Sequence, residues 1–195
     1  KRISFTPISQ AYPEIICQRL SPGAVYFRKE IFKPRKIVAH FVNIFLREEN
    51  FDSLVTPADS NGFLCSRTTS QFLAEFDMNI AINGDAYSYL GATRLGPINA
   101  NSCSDYVRPN GFAASRGTIY SRRRGPTFFV DQKNRVSFLP QGKIFNAISG
   151  NRILALNGRP RNDFPEEQPG ARTAIGITKD SNVLILMVVD GRQTD

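Results

Sequence analysis

The sequence predicts an α+β fold, a mixed and largely antiparallel sheet with few helices. Three observations carry that reading. Apolar runs of strand length recur along the chain, bounded by Gly, Pro, Asn and Asp, whereas one segment only shows a capped helical start. Residues 183–189 are seven consecutive apolar side chains, rich in valine and too few to span a membrane, as expected of a strand buried on both faces. The shorter apolar segment 171–177 precedes it across Lys179-Asp180-Ser181-Asn182 and reads as its hairpin partner.

With 195 residues the chain can build one ordinary core. Its 41% hydrophobic content and mixed charges argue for a folded domain and against disorder. No apolar run approaches the length of a membrane-spanning helix. The chain opens at Lys1, as expected if a leader has been removed or a longer chain has been cut. Three cysteines lie far apart (Cys17, Cys65, Cys103), without a CxxC pair and with a single histidine, which argues against a zinc site. One disulfide with a leftover thiol fits a secreted protein, and three reduced thiols fit a cytosolic one. Spacing does not choose between them.

Residues 1–20 show no period, are broken by Pro7 and Pro13, and read as an N-terminal arm on a domain spanning 21–195. Ser21-Pro22-Gly23 is a turn and 24–27 a short strand; Lys33-Pro34-Arg35 is a second break. Residues 37–46 are apolar on both alternating faces, which predicts a central strand. His40 falls on one of those faces and is expected to be a satisfied core residue. Residues 61–67 read as a loop. Thr68 with Gln71 is a capping box, after which Phe72, Leu73 and Phe76 recur at helical spacing, with Asp77 as the stop. Residues 80–82 read as a short buried strand running into Asn83-Gly84-Asp85, a sharp turn at a sheet edge beside a carboxylate.

Residues 88–110, rich in Gly, Pro, Asn and Ser, predict a long loop of the kind that binds ligands or forms a lid. Short strands follow at 118–120, 127–130 and 136–139, the last two joined as a hairpin by residues 131–134. Arg122-Arg123-Arg124 sits in a loop. Strands at 144–148 and 153–156 come next, and Asn157-Gly158 is a tight turn. Residues 159–170 are polar and proline-rich.

The net charge of +8 is unevenly placed. Residues 108–161 hold eleven Lys and Arg against one acid, Asp131, for a balance of +10; the remainder has fourteen bases and sixteen acids, for −2. Such a stretch attracts anionic partners at long range, or serves as a solvated surface. An antiparallel hairpin also brings its open ends together, which would set Arg172 beside Asp190 and Arg192 as a charge cluster suited to an anion. A strict four-residue loop, however, puts Arg172 opposite Val189 and turns Arg172 and Asp190 to opposite faces. A bulged loop or a kink at Gly191 would align them. The bland alternative is a salt bridge closing the sheet edge.

The order of segments resembles the phosphodiester glycosidases, a family related to the lysosomal uncovering enzyme that removes N-acetylglucosamine from a mannose-phosphate diester. The resemblance spans roughly residues 21–192. It rests on Pro22-Gly23-Ala24-Val25-Tyr26, the strand bearing His40, Thr69-Ser70-Gln71-Phe72, Ala81-Ile82-Asn83-Gly84 and Ile148-Ser149-Gly150. Its specific parts are Arg172-Thr173-Ala174-Ile175-Gly176 and Val188-Val189-Asp190-Gly191-Arg192. Two departures stand out. Where members often carry an aromatic pair after Asn-Gly, this chain has Asp85-Ala86-Tyr87. It also ends at Asp195, before the helix and Asp-Gly-Gly-Gly-Ser-Ser loop of the family, so a C-terminal part of the same protein, in the same or a separate chain, is expected to complete the fold.

The resemblance implies a secreted or cell-envelope hydrolase that cleaves a sugar from a sugar-phosphate diester; no cofactor is expected, and no residue is assigned as a metal ligand. It implies Asp190 or Asp85 as the catalytic carboxylate, with Arg172 and Arg192 holding phosphate. Asn83 would position sugar hydroxyls, and Gly84 and Thr173 would line the substrate site. All are expected to converge on one phosphorylated carbohydrate. The competing reading is a non-catalytic binder of polyanions or polysaccharide, in the cell envelope. Few aromatics interleave with Arg122-Arg123-Arg124, so nucleic acid has little support.

Overall fold

A computed structural model describes residues 15–33, 36–47, 51–59, 62–90, 105–164 and 170–190. In chain order the strands are β1 (Ile15–Ser21), β2 (Ala24–Ile31), β3 (Ile37–Phe45), β4 (Leu64–Cys65), β5 (Tyr87–Tyr89), β6 (Tyr106–Pro109) and β7 (Phe112–Ser115). They continue as β8 (Thr118–Arg122), β9 (Thr127–Asp131), β10 (Val136–Ser137), β11 (Ile144–Ser149), β12 (Ala155–Leu156), β13 (Arg159–Pro160), β14 (Arg172–Ile177) and β15 (Val183–Asp190). One helix, α1 (Thr69–Phe76), interrupts them. The strand pairings are antiparallel, as expected. The helical share is smaller than an α+β label suggests: among the described residues it is that single helix. No helix is long and apolar enough to cross a membrane, among the same residues.

The chain divides into two compact units, residues 1–51 with 157–195 and residues 52–156. The first unit is a five-stranded sheet in the order β1-β2-β3-β15-β14. β3 is its middle strand, which its two apolar faces predict, and Val38 and Ala39 are buried there. β15 is half-buried along most of its length, with Leu184 fully inside and Val188 36% exposed, so it is less enclosed than its apolar run implies. The expected N-terminal arm is narrower than residues 1–20, because Ile15–Ser21 pairs with β2 as an edge strand; residues 1–14 lie outside the described residues.

The second unit holds a five-stranded sheet, β10-β9-β11-β7-β8, a three-stranded one, β4-β6-β5, and α1. Val107, Ala113, Ala114, Phe128, Val130, Val136 and Ala147 form its buried apolar core. Asn146 is fully buried among them and fully paired: its amide donates to Ser53 O (2.7 Å) and Ser53 Oγ (3.1 Å), and its carbonyl accepts from Arg116 N–H (3.0 Å). Ser115 Oγ donates to Val55 O and Tyr120 Oη to Thr56 O, so residues 53–56 are fastened to the sheet by side chains. Burial pushes the Tyr120 hydroxyl pKa well up.

Thr68 caps α1 as the sequence predicts. Its hydroxyl accepts from Gln71 N–H, and the Gln71 side chain accepts from Thr68 N–H. Asp77 ends the helix in a left-handed conformation. Phe72, Leu73 and Phe76 are half-buried, none fully. Several expectations need correction. Residues 80–82 form no ladder, and the chain makes no turn or bend at Asn83-Gly84-Asp85. Arg122 ends β8 and is not in a loop, and β12 is confined to Ala155–Leu156. The 61–67 loop contains β4. The long loop at 88–110 is framed by β5 and β6, which pair through Tyr87↔Pro109, Ser88↔Arg108 and Tyr89↔Val107; its middle, 91–104, lies outside the described residues. Ladder hydrogen bonding overrides the local turn composition at both ends of that loop. Asn157 and Gly158 both take positive φ, as a tight turn requires.

Candidate functional site

In the second unit the segment Asn83-Gly84-Asp85, which makes no turn, is gathered against the end of β11. Gly84 lies so close to Ile148 that a Cβ there would meet Ile148 Cδ1 at 2.5 Å. Asn83 is exposed, and its Oδ1 accepts from the Thr69 hydroxyl at the first turn of α1 (3.0 Å). The half-buried Asp85 turns inward, where its Oδ2 accepts from Gly111 N–H. Ser149 Oγ accepts from Phe112 N–H (2.8 Å) and lies 2.9 Å from Thr127 Oγ1, while Ser121 Oγ donates to Gly111 O (2.6 Å).

Gly111 is the crossing point. A Cβ on it would fall 2.4 Å from Ser149 Cβ and 2.8 Å from Asp85 Oδ2. Two segments far apart in sequence, Asn83-Gly84-Asp85 and Ile148-Ser149, thus meet around a backbone position that admits no side chain. Sequence reading missed Gly111; the Asn110-Gly111 pair after Pro109 was its one signal. Burial raises the Asp85 pKa above the usual carboxylate value, and the N–H groups of Gly111 and Ala86 only partly offset this. A half-buried carboxyl with a raised pKa next to an exposed amide can exchange a proton with a ligand held at this segment.

In the first unit the ladder register decides what the hairpin offers. β14 and β15 are joined by a tight four-residue turn, with Thr178 N–H bonded to Val183 O (3.0 Å) and Ser181 at positive φ. Asp180 organises it, accepting from Thr178 Oγ1 (2.6 Å) and Asn182 N–H (3.2 Å). Arg172 pairs with Val189 and no bulge interrupts the ladder, so alternation places Arg172 and Asp190 on opposite faces. The proposed cluster of the two side by side is corrected by that register. Arg172 is exposed and folds back on its own strand start, donating to Ala171 O (2.9 Å). Arg192 and Gly191 lie outside the described residues.

The face that carries Asp190 carries other polar groups instead. Reading across the sheet, Thr173, Val188, His40 and Arg28 form one row, and Asp190, Val38 and Glu30 the next. His40 Nδ1 lies 2.7 Å from Tyr26 Oη, and Arg28 is ion-paired with Glu30. His40 is the satisfied histidine that its strand predicts, though half-buried on a polar face.

Each unit thus offers a polar feature of its own, an inward carboxyl at a glycine crossing in one and a row of hydrogen-bonding side chains across a sheet in the other. The phosphodiester glycosidase family profile matches residues 76–195, a stretch that contains Asn83-Gly84-Asp85, Ser149, the whole of β14 and the whole of β15. The chain belongs to the phosphodiester glycosidase family. The match begins at the end of α1, so the strand bearing His40, part of the wider resemblance, lies outside it. No curated protein and no solved structure matches the chain.

Proposed function

We propose that the protein hydrolyses a sugar-phosphate diester at the anomeric carbon, releasing the sugar and a phosphate monoester. The observation that carries this reading is the family match, which runs through both the Asn83-Gly84-Asp85 segment and the Arg172-to-Gly176 strand. Cleavage of this kind passes through an oxocarbenium-like transition state. The departing phosphate monoester is a good leaving group, its second pKa being about 6, so strong acid assistance is not required. A carboxyl group near the anomeric carbon and cations on the phosphate are the larger needs.

Asp85 suits the first role, being half-buried, raised in pKa and adjacent to the exposed Asn83 amide that would hold a sugar hydroxyl. Asp190 is the second candidate carboxylate, with Thr173 on its own sheet face as a substrate contact. Arg172 and Arg192 are the expected phosphate ligands; Arg172 would serve on the sheet face opposite Asp190 and Thr173, and Arg192 lies beyond the described residues. Gly84 would keep its segment close to the sheet end. The disulfide at Cys65 supports an extracytoplasmic location, because such bonds persist in oxidising compartments, and Cys17 would be the leftover thiol.

Release of N-acetylglucosamine from an N-acetylglucosamine-phosphate diester tests the reading, with Arg172→Ala and Asp85→Asn alongside wild type. Loss of turnover in Asp85→Asn would assign the chemistry to the second unit and loss in Arg172→Ala to the first, each variant unfolding as wild type does. Absence of sugar release from wild type would refute hydrolysis, and unchanged turnover in Arg172→Ala would remove that residue from the site. Polyanion binding is a second reading, favoured by the exposure of Arg122, Arg123, Arg124 and Arg152. It predicts binding that falls steeply with salt and survives loss of Arg172.

A further inference from the structure

Strand β5 follows Asp85 by two residues and displays two tyrosines on one face. Tyr87 is 49% exposed and Tyr89 65%. Their rings stand nearly perpendicular, 80° apart with centroids at 5.4 Å, and their hydroxyl oxygens are 3.5 Å apart. The cross-strand neighbours on that face, Pro109 and Val107, are buried, so the rings form the outer rim of an apolar face.

The strand beneath them is held at both ends. Asn110 N–H donates to Ala86 O (2.8 Å), Leu90 N–H donates to Tyr106 O (3.0 Å), and Ser88 Oγ on the opposite face donates to Asn110 Oδ1 (2.7 Å). Two large apolar rings are thereby fixed in water, where burying them against a ligand is favourable and costs little further ordering.

We propose that Tyr87 and Tyr89 form a pyranoside-binding platform adjoining the Asn83-Gly84-Asp85 segment. This rests on the hydrolase reading above and names the part of the substrate that the second unit recognises. A pyranose has an apolar C–H face and a rim of hydroxyls. The tyrosine corner offers the complement, a ring face, a ring edge and two phenol groups able to donate or accept. Along an extended strand Tyr87 is about 7 Å from Asp85 and Tyr89 about 13 Å. A sugar packed on the rings therefore lies on the outer side of the segment whose Asp85 carboxyl turns inward to Gly111 N–H.

The test is isothermal titration calorimetry of the protein with methyl N-acetylglucosaminide, a glycoside without phosphate, a readout that does not depend on the tyrosines being replaced. Wild type should bind saturably, Tyr87→Ala/Tyr89→Ala should weaken binding at least about tenfold, and Tyr87→Phe/Tyr89→Phe should keep most of it. The Phe variant retains strand propensity and ring packing, which guards against a folding artefact. No saturable binding by wild type, or equal binding by the Ala variant, overturns the platform. Glycoside binding that depends on the tyrosines without any diester hydrolysis would uphold the platform and refute the hydrolase reading. Diester hydrolysis with unchanged KM in the Ala variant would do the reverse.

Discussion

Gly111 has no side chain because two others occupy the space. Ser149 Cβ would lie 2.4 Å from an added Cβ and is rigidly tied to its own backbone, so Gly111→Ala must move one of the two segments. A cost of about 2 to 3 kcal/mol is expected, in the range of overpacking. At Gly84 the clash is with Ile148 Cδ1, the tip of a flexible side chain that can rotate away, and Gly84→Ala should cost less than Gly111→Ala. Urea unfolding of the two variants tests the order; equal losses would mean the crossing can relax. Asp85 is separable in the same way. Asp85→Ala leaves Gly111 N–H without its acceptor and should cost about 1 to 3 kcal/mol. Asp85→Asn keeps an acceptor oxygen and removes the charge. Because burial raises the folded-state pKa of Asp85, its ionised form weakens the fold at neutral pH. That penalty fades as pH falls through the raised value, where the folded state takes up its proton before the unfolded chain does. Asp85→Asn should therefore be at least as stable as wild type at pH 7, with the difference closing on acidification. A large loss of stability at pH 7 would contradict this.

The β9–β10 hairpin obeys the opposite sign. Burial of Asp131 acts to raise its pKa, but the Arg135 side chain and the backbone N–H groups of Arg135 and Lys133 outweigh it, and the pKa is lowered. Stability from this carboxylate is present above the unfolded value, about 3.9, and is lost as pH falls through the lower folded one. Asp131→Asn should lower the melting temperature at pH 7, and the gap to wild type should shrink below about pH 4; a pH-independent gap would show that charge is not the cause. Thr68→Ala, at the capping box, should cost about 1 kcal/mol. These elements were the legible ones. Capping, the central position of β3 and the β14–β15 hairpin follow from side-chain chemistry within a few residues, whereas the register that separates Arg172 from Asp190 was one of the alternatives the loop left open. β5, β6 and β7 were not legible. Their ladders join residues with turn-like composition through partners distant in sequence, and Gly111 has meaning only once Ser149 and Asp85 are beside it. The acid at residue 85 was readable as a candidate; its inward bond and raised pKa were not, since both depend on burial.

At the scale of the molecule, charge is uneven along the chain but not between the units. The second holds eleven bases and seven acids and the first fourteen and ten, +4 each, with the basic stretch of the second unit confined to residues 108–156. A positive unit would draw anionic diesters towards its surface, so kcat/KM for a charged diester should fall with added salt while kcat changes little. If kcat falls as steeply as kcat/KM, the charge acts on the chemical step and not on encounter. The proposed reaction is cleavage at carbon, with the phosphate leaving intact. Hydrolysis of a sugar-phosphate diester in water enriched in oxygen-18, with mass analysis of both products, tests that most directly. The account predicts the label on the anomeric hydroxyl of the released sugar and none on the phosphate; label on the phosphate would mean attack at phosphorus and would contradict it.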